Sequence, residues 1–255
     1  MVKEKPLILV MSWGGTKWMY ACWILKAMEE FWIKEKIKAI YWVSAWALTA
    51  AYWLSWRKAE SIMDRFIESE LFSVKNIAIP PTKWLLKAGV IERILKKDLK
   101  KSFDQLDIPL HVGATDLWKW KMVMFSEGNL IKPVLWSMAV PGLFPPVEHE
   151  NNMLVDWWVT NNFPIDIARK NHPNANIIWI LLSKFKKDQK VKNVINTLQV
   201  SYEILLRSHF TPNINEADIL FYRDLKSWMV ENSEEILHHL FDLGYKDGKA
   251  SFKSY

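Results

Sequence analysis

Residues Ile37–Leu54 read IKAIYWVSAWALTAAYWL. The stretch opens as an apolar run, Ile37–Val43, broken only by Lys38, as expected of a strand buried on both faces. Ala45–Leu54 then reads as a helix, and Ser44 stands at the junction. A serine between a buried strand and a helix is held on a sharp, strained turn with its hydroxyl presented at the sheet edge. The helix N-terminus beside it favours negative charge. Strand and helix approach so closely there that the positions two before and two after the serine want no side chain, which is the physical content of a G-x-S-x-G pattern. Here those positions are Trp42 and Trp46. Alone, so short a pattern also fits an ordinary buried serine.

Upstream, Leu7–Met11 is a second buried apolar run. It enters the loop Ser12–Trp18, SWGGTKW, and Met19–Phe31 follows with helical spacing of Ala21, Ile24, Leu25, Met28 and Phe31. The order strand, loop, helix, strand, turn, helix predicts an α/β fold with a mostly parallel sheet and crossover helices. A glycine-rich loop ahead of the first helix can aim several backbone N–H groups at one point, suiting a phosphate or the oxyanion of an acyl intermediate. Lys17 is followed by Trp18 rather than Ser or Thr, so the loop departs from the nucleotide-binding P-loop pattern.

Downstream, Ala59–Phe72 and Val90–Phe103 read as amphipathic helices separated by Pro80-Pro81, a helical excursion or lid rather than sheet core. Leu110–Asp116 reads as a strand with Met122–Ser126 as its hairpin partner, and Ile131–Val140 as a helix ended by Pro141-Gly142. Met153–Val155 reads as a short strand delivering Asp156. Ile177–Leu182 and Ile219–Tyr222 read as further strands, Val191–Arg207 and Ser233–Leu240 as helices. There is no internal repeat or clear linker, so a single domain over residues 1–255 is expected. A serine nucleophile needs a base. None of His111, His149, His172, His209, His238 and His239 has a triad-like context, which leaves the carboxylate of Asp156 to act directly.

Composition narrows the rest. Half of the residues are hydrophobic and 24% are charged, as in ordinary globular proteins. The one cysteine, Cys22, lies in an apolar helical pattern and reads as a small buried residue; it excludes an intrachain disulfide and fits a reducing, cytoplasmic setting. Leu7–Met11 is too short for a signal peptide's apolar region. Ala39–Trp56 carries no charge and raises the question of a membrane span, but much of its bulk is Trp42, Trp46, Trp53 and Trp56. The net charge is +6. The basic clusters Lys96, Lys97, Lys100, Lys101 and Lys184–Lys192 read as solvated helix faces or as a peripheral contact with anionic phospholipid at the inner face of a membrane. No aromatic-interleaved basic stripe points to nucleic acid.

Tryptophan and glycine are out of proportion. The chain has 16 Trp and 8 Gly, where average usage gives about 18 Gly at this length. With glycine read for tryptophan, three segments become S-G-G-G-T-K-G from Ser12, G-V-S-A-G around Ser44 and D-G-G from Asp156.

In that reading the chain resembles the patatin-like phospholipases, specifically their short bacterial members. That family carries a G-G-G-x-[RK]-G loop, a G-x-S-x-G elbow and a D-G-[GA] aspartate. Ser137–Pro146, SMAVPGLFPP, resembles its S-x-A-x-P-x-x-F-P-P stretch, and Val159–Pro164 the segment after its aspartate. The resemblance is clearest over residues 7–168 and extends to about residue 225; the segment from about Lys226 is not covered. It implies a three-layer α/β/α fold and a serine acyl hydrolase acting on lipid or phospholipid esters. Ser44 would be the nucleophile and Asp156 the base, with oxyanion donors in the backbone N–H groups of Trp13, Gly14 and Gly15. Lys17, Trp18, Trp42, Trp46, Trp157 and Trp158 fall on motif positions. No cofactor or metal enters this chemistry.

The departures from the family run one way, glycine to tryptophan, at Trp13, Trp18, Trp42, Trp46, Trp157 and Trp158 and also at Trp23, Trp32, Trp56, Trp120 and Trp136. Overpacking costs about 1–3 kcal/mol per site, so six sites would consume a domain's whole stability of about 5–15 kcal/mol. Some bacteria read the UGA codon as glycine where a common alternative table reads tryptophan. Translation with the wrong table would yield tryptophan at a subset of glycine positions and leave Gly14, Gly15 and Gly142 intact. Were the tryptophans genuine, the expectation is a catalytically inactive protein that binds lipid or membrane surfaces through basic and aromatic faces.

Overall fold

The computed structural model describes residues 5–11, 18–55, 58–68, 88–141, 144–160, 164–181, 215–222 and 234–253, with a few isolated positions between 191 and 204. The elements are β1 (Leu7–Met11), α1 (Trp18–Glu30), β2 (Ile37–Trp42), α2 (Ala45–Ser55), α3 (Ala59–Glu68), α4 (Ala88–Asp98), β3 (Leu110–Asp116), β4 (Lys121–Phe125), α5 (Ile131–Ser137), β5 (Val147–His149), β6 (Asn152–Asp156), α6 (Ile165–Asn171), β7 (Asn176–Leu181), β8 (Ile219–Tyr222) and α7 (Glu234–Phe252).

One sheet runs β5-β6-β3-β2-β1-β7-β8, with β4 paired to β3. β3, β2, β1, β7 and β8 are mutually parallel, while β4 and β6 are antiparallel to β3 and β5 to β6. The central strands β1, β2 and β7 are buried along their length except exposed Lys38 and half-buried Asn176, which is why their sequences are apolar runs rather than alternations. Two hydrophobic clusters lie on the two faces. The larger holds Leu7, Leu9, Met11, Ile40 and Trp42 against α1, α2 and α4. The other holds Ile8, Val10, Tyr41 and Trp179 against Ile165 and Ala168 of α6. This is a three-layer α/β/α architecture.

The uncharged stretch Ala39–Trp56 resolves into the end of β2, the Ser44 turn and α2, as its small residues require. Among the described residues no helix is long and apolar enough to cross a membrane. Cys22 is buried in α1, and burial pushes its thiol pKa far up.

Two short elements, β5 and α6, are not expected from the sequence, and the last helix extends well beyond the expected Ser233–Leu240. α7 runs to Phe252 because its glycines serve close packing: a Cβ on Gly244 would come within 2.1 Å of the Tyr20 carbonyl oxygen, and one on Gly248 within 2.6 Å of the Ala27 Cβ. Tyr20 hydrogen-bonds Asp247, and the Tyr245 hydroxyl donates to Glu30 at 2.7 Å, fixing α7 against α1. The expected helices Ala59–Phe72 and Val90–Phe103 correspond to α3 and α4. α4 stops at Asp98, Phe103–Gln105 forms a separate single turn, and residues 69–87 lie outside the described set. The helix expected at Val191–Arg207 falls almost wholly outside it too.

Candidate active site

The edge of β3 brings the site together. β4 occupies one edge over Val112–Asp116. The other edge is shared end to end: β2 takes Leu110–Val112, and β6 takes Ala114–Asp116 from the opposite direction. The end of β6 therefore lies just beyond the end of β2. Asp156 stands opposite Ala114, at the level where the chain leaves β2 through Val43 and turns at Ser44.

Ser44 has φ 59°, a left-handed conformation that costs a non-glycine residue roughly 1–2 kcal/mol. It is the strained elbow expected from the sequence. The next turn is already helical, with Ala47 N–H donating to the Ser44 carbonyl at 3.0 Å. Ser44 Oγ donates to Asp156 Oδ2 at 2.6 Å, within the range of a hydroxyl bonded to a carboxylate. Both residues are buried, Asp156 completely.

The last residue of α5 and the segment after it hold both backbones. The Ser44 N–H donates to Ser137 Oγ at 2.8 Å, and the Asp156 N–H donates to the Ala139 carbonyl at 2.9 Å. Two residues within Ser137–Ala139 thus anchor the two halves of the pair. Thr115 Oγ1 donates to the Trp157 carbonyl at 2.9 Å and fixes the turn after Asp156. Ser137 opens the S-x-A-x-P-x-x-F-P-P stretch, but its bond to Ser44 spans 93 positions, and no local pattern announces it.

Of the other anticipated residues, Trp13, Gly14, Gly15 and Lys17 lie outside the described residues, as do the side chains of Trp18 and Trp158. Trp42, Trp46 and Trp157 are completely buried, and their indole N–H groups have no hydrogen-bond partner among the described residues. Buried indoles ordinarily find one. The Trp157 ring lies where a side chain on Gly113 would be, 1.0 Å from an ideal Cβ. Trp32 (φ 57°) and Trp120 (φ 51°) are in the left-handed region. Trp32 sits where a helix-terminating glycine belongs: its N–H donates to the Glu29 carbonyl, and the Ile33 N–H to that of Met28, the Schellman pattern.

Among the histidines, His149 makes a tilted ring contact with Trp136 at 4.4 Å and approaches Glu150 at 3.6 Å. His111 and His172 flank Tyr41 on the opposite face of the sheet from Trp42 and α2. Among the basic residues, Lys96 pairs with Glu92 one helical turn away and Lys100 with Asp107, as on solvated faces. The described residues contain no cluster of His, Cys, Asp and Glu suited to a metal ion.

Residues 9–169 match the family model for patatin-like phospholipase, a span that includes both Ser44 and Asp156. The chain is 27% identical over 176 residues to the probable lipid hydrolase 463L of invertebrate iridescent virus 6, covering 66% of this chain and 59% of the viral protein. It is 24% identical over 177 residues to the mouse patatin-like phospholipase domain-containing protein 7, of which it spans only 13%. Among solved structures, VipD of Legionella pneumophila superposes with a TM-score of 0.53 at 12% identity, over 98% of this chain and 67% of that one. ExoU of Pseudomonas aeruginosa, in its complex with SpcU, gives 0.53 at 14% identity, over 98% and 52%.

Proposed function

The chain belongs to the patatin-like phospholipase family, and we propose that it is a serine acyl hydrolase cleaving carboxylic esters of lipids through Ser44 and Asp156. The observation that carries the reading is the 2.6 Å hydrogen bond from Ser44 Oγ to Asp156 Oδ2 on a left-handed turn at a helix N-terminus. Ser44 Oγ attacks the ester carbonyl carbon as its proton passes to Asp156. The tetrahedral oxyanion is held by backbone N–H groups of Trp13, Gly14 and Gly15 and by the dipole of α2. Its collapse breaks the ester bond, and the departing alkoxide takes the proton from Asp156. Water, deprotonated by Asp156, then attacks the acyl-Ser44 carbonyl and releases the fatty acid, and the proton returns to Ser44.

The same reading holds that the cell inserts glycine at positions 13, 18, 42, 46, 157 and 158. The indoles of Trp42, Trp46 and Trp157, which have no partner among the described residues, and the left-handed φ of Trp32 and Trp120 support it. Hydrolysis of a short-chain chromogenic ester by the glycine form of the chain, compared with its Ser44→Ala and Asp156→Ala variants, tests the proposal. Activity surviving in either variant refutes the dyad. Activity in the tryptophan form would refute the requirement for glycine. Absence of activity in both forms would favour the inactive lipid-binding alternative.

A further inference from the structure

The β3–β4 hairpin ends in Leu117-Trp118-Lys119-Trp120. Leu117 is 38% exposed, Trp118 53% and Trp120 86%. No other described segment exposes several large apolar side chains side by side. β3 is parallel to β2, so the hairpin points past the same sheet edge at which Ser44 turns. Leu117 lies three positions beyond Ala114, the partner of Asp156, or about 10 Å at strand rise. In open α/β sheets ligands enter at this carboxyl edge of the strands.

The tip is braced rather than loose. Asp116 is completely buried. Its Oδ1 accepts the backbone N–H groups of Trp118 (3.0 Å) and Met153 (3.2 Å). Burial alone would raise the pKa of this carboxyl, but these donors and the ammonium of Lys119 outweigh it and hold the group below the usual range. Lys119 Nζ donates to the Asn151 carbonyl (2.9 Å) and Asn152 Oδ1 (2.6 Å), tying the tip to the β5–β6 hairpin. That neighbour turns on Glu150 and Asn151, both with positive φ. The exposed charges of the two tips balance, Lys119 and Lys121 against Glu148 and Glu150.

We propose that this double-hairpin tip is a bilayer-docking element, with Leu117 and Trp118 entering the headgroup–acyl boundary and setting the Ser44 edge of the sheet against the lipid. Indole rings favour that boundary. The balanced charge suits a zwitterionic surface and makes docking independent of anionic lipid. This rests on the lipid-ester reading of the site, and it holds with either tryptophan or glycine at position 120.

The test uses the full chain in a Ser44→Ala background, sedimented with phosphatidylcholine vesicles made with and without phosphatidylglycerol. Leu117→Ser/Trp118→Ala lowers partitioning at least about tenfold, the scale of losing one buried aromatic anchor. Partitioning of the parent is insensitive to phosphatidylglycerol and to salt. Trp32, 72% exposed but at the opposite edge of the sheet between α1 and β2, is the control, and Trp32→Gly leaves partitioning unchanged. With Ser44 restored, the double variant keeps its rate on a soluble short-chain ester and loses it on vesicles. Unaltered partitioning of the double variant, or binding that needs phosphatidylglycerol and vanishes in salt, overturns the proposal. A failure of the dyad shows instead as ester hydrolysis persisting in Ser44→Ala, which leaves the partitioning result standing.

Discussion

Ser137 Oγ accepts the backbone N–H of Ser44 at 2.8 Å, inside the protein and across 93 positions of sequence. The bond gives a buried donor on a left-handed residue its partner, so Ser137 positions the elbow without touching the reacting atoms. Ser137→Ala is expected to destabilise the fold by about 1–3 kcal/mol, the cost of an unpaired buried N–H. It should also lower kcat on a soluble ester more than it raises KM. Urea unfolding together with steady-state kinetics checks both. Lost stability with unchanged kcat would make Ser137 a purely structural residue.

In the proposed mechanism Ser44 and Asp156 act on one proton, so their effects should not add. Removing a general base costs about 10²–10⁴-fold. The double variant Ser44→Ala/Asp156→Asn should be no slower than Ser44→Ala alone. A further drop in the double variant would give Asp156 a task independent of Ser44.

Glycine at positions 32 and 120 should stabilise the chain. Both residues adopt φ near +50° to +60°, where a bulky side chain costs roughly 1–2 kcal/mol and glycine almost nothing. Thermal unfolding of Trp32→Gly and Trp120→Gly should therefore give higher midpoints than the tryptophan form. The gene answers the same question directly, through UGA rather than UGG codons at 13, 42, 46 and 157. So does the intact mass of protein made in its native host.

Tyr41 stacks on His111 at 4.3 Å and contacts His172 Nε2 at 3.2 Å. Burial lowers the pKa of both histidines, and for His111 the neighbouring His172 adds to it. Each is neutral in the fold at a pH where the unfolded chain already binds a proton. Their contribution to stability is therefore complete above the ordinary histidine value of about 6.5 and declines as pH falls below it. Urea midpoints should drop between neutral and mildly acidic pH, and His111→Phe, which keeps a ring on Tyr41, should shrink the drop.

Gly244→Ala should destabilise the α1–α7 contact by about 1–3 kcal/mol, since its methyl would overpack onto the Tyr20 carbonyl. Gly89, which has no neighbour near its Cβ position and lies in α4, is the control, with Gly89→Ala neutral or stabilising. Chemical denaturation separates the two.

The parallel core was legible because β1, β2 and β7 are apolar runs with Lys38 the one interior charge, and β8 falls on Ile219–Tyr222 as the sequence suggests. Ser44 and Asp156 were legible because each ends a strand at a turn. β5 was not, since three residues carry no measurable periodicity. α6 is one short amphipathic stretch between Pro164 and Pro173, below the length at which helical spacing declares itself. Arg169 was equally silent: it bonds the carbonyls of Ala175 and Glu216 and the Asp218 carboxylate, joining segments far apart in the chain. Ser137 belongs to the same class, whose partners are set by topology rather than by neighbours in sequence.

The divided edge of β3 also bears on assembly. Until β6 docks, the backbone groups of Ala114–Asp116 on that edge are unpaired, a template for adventitious strand pairing. The step that closes this edge is the step that carries Asp156 to Ser44, over a separation of 112 residues. Long-range contacts of this kind form late in folding. A nascent or truncated chain ending before Asn152 would thus both lack the Ser44–Asp156 pair and be prone to self-association, and sheet completion and assembly of that pair would arrive together.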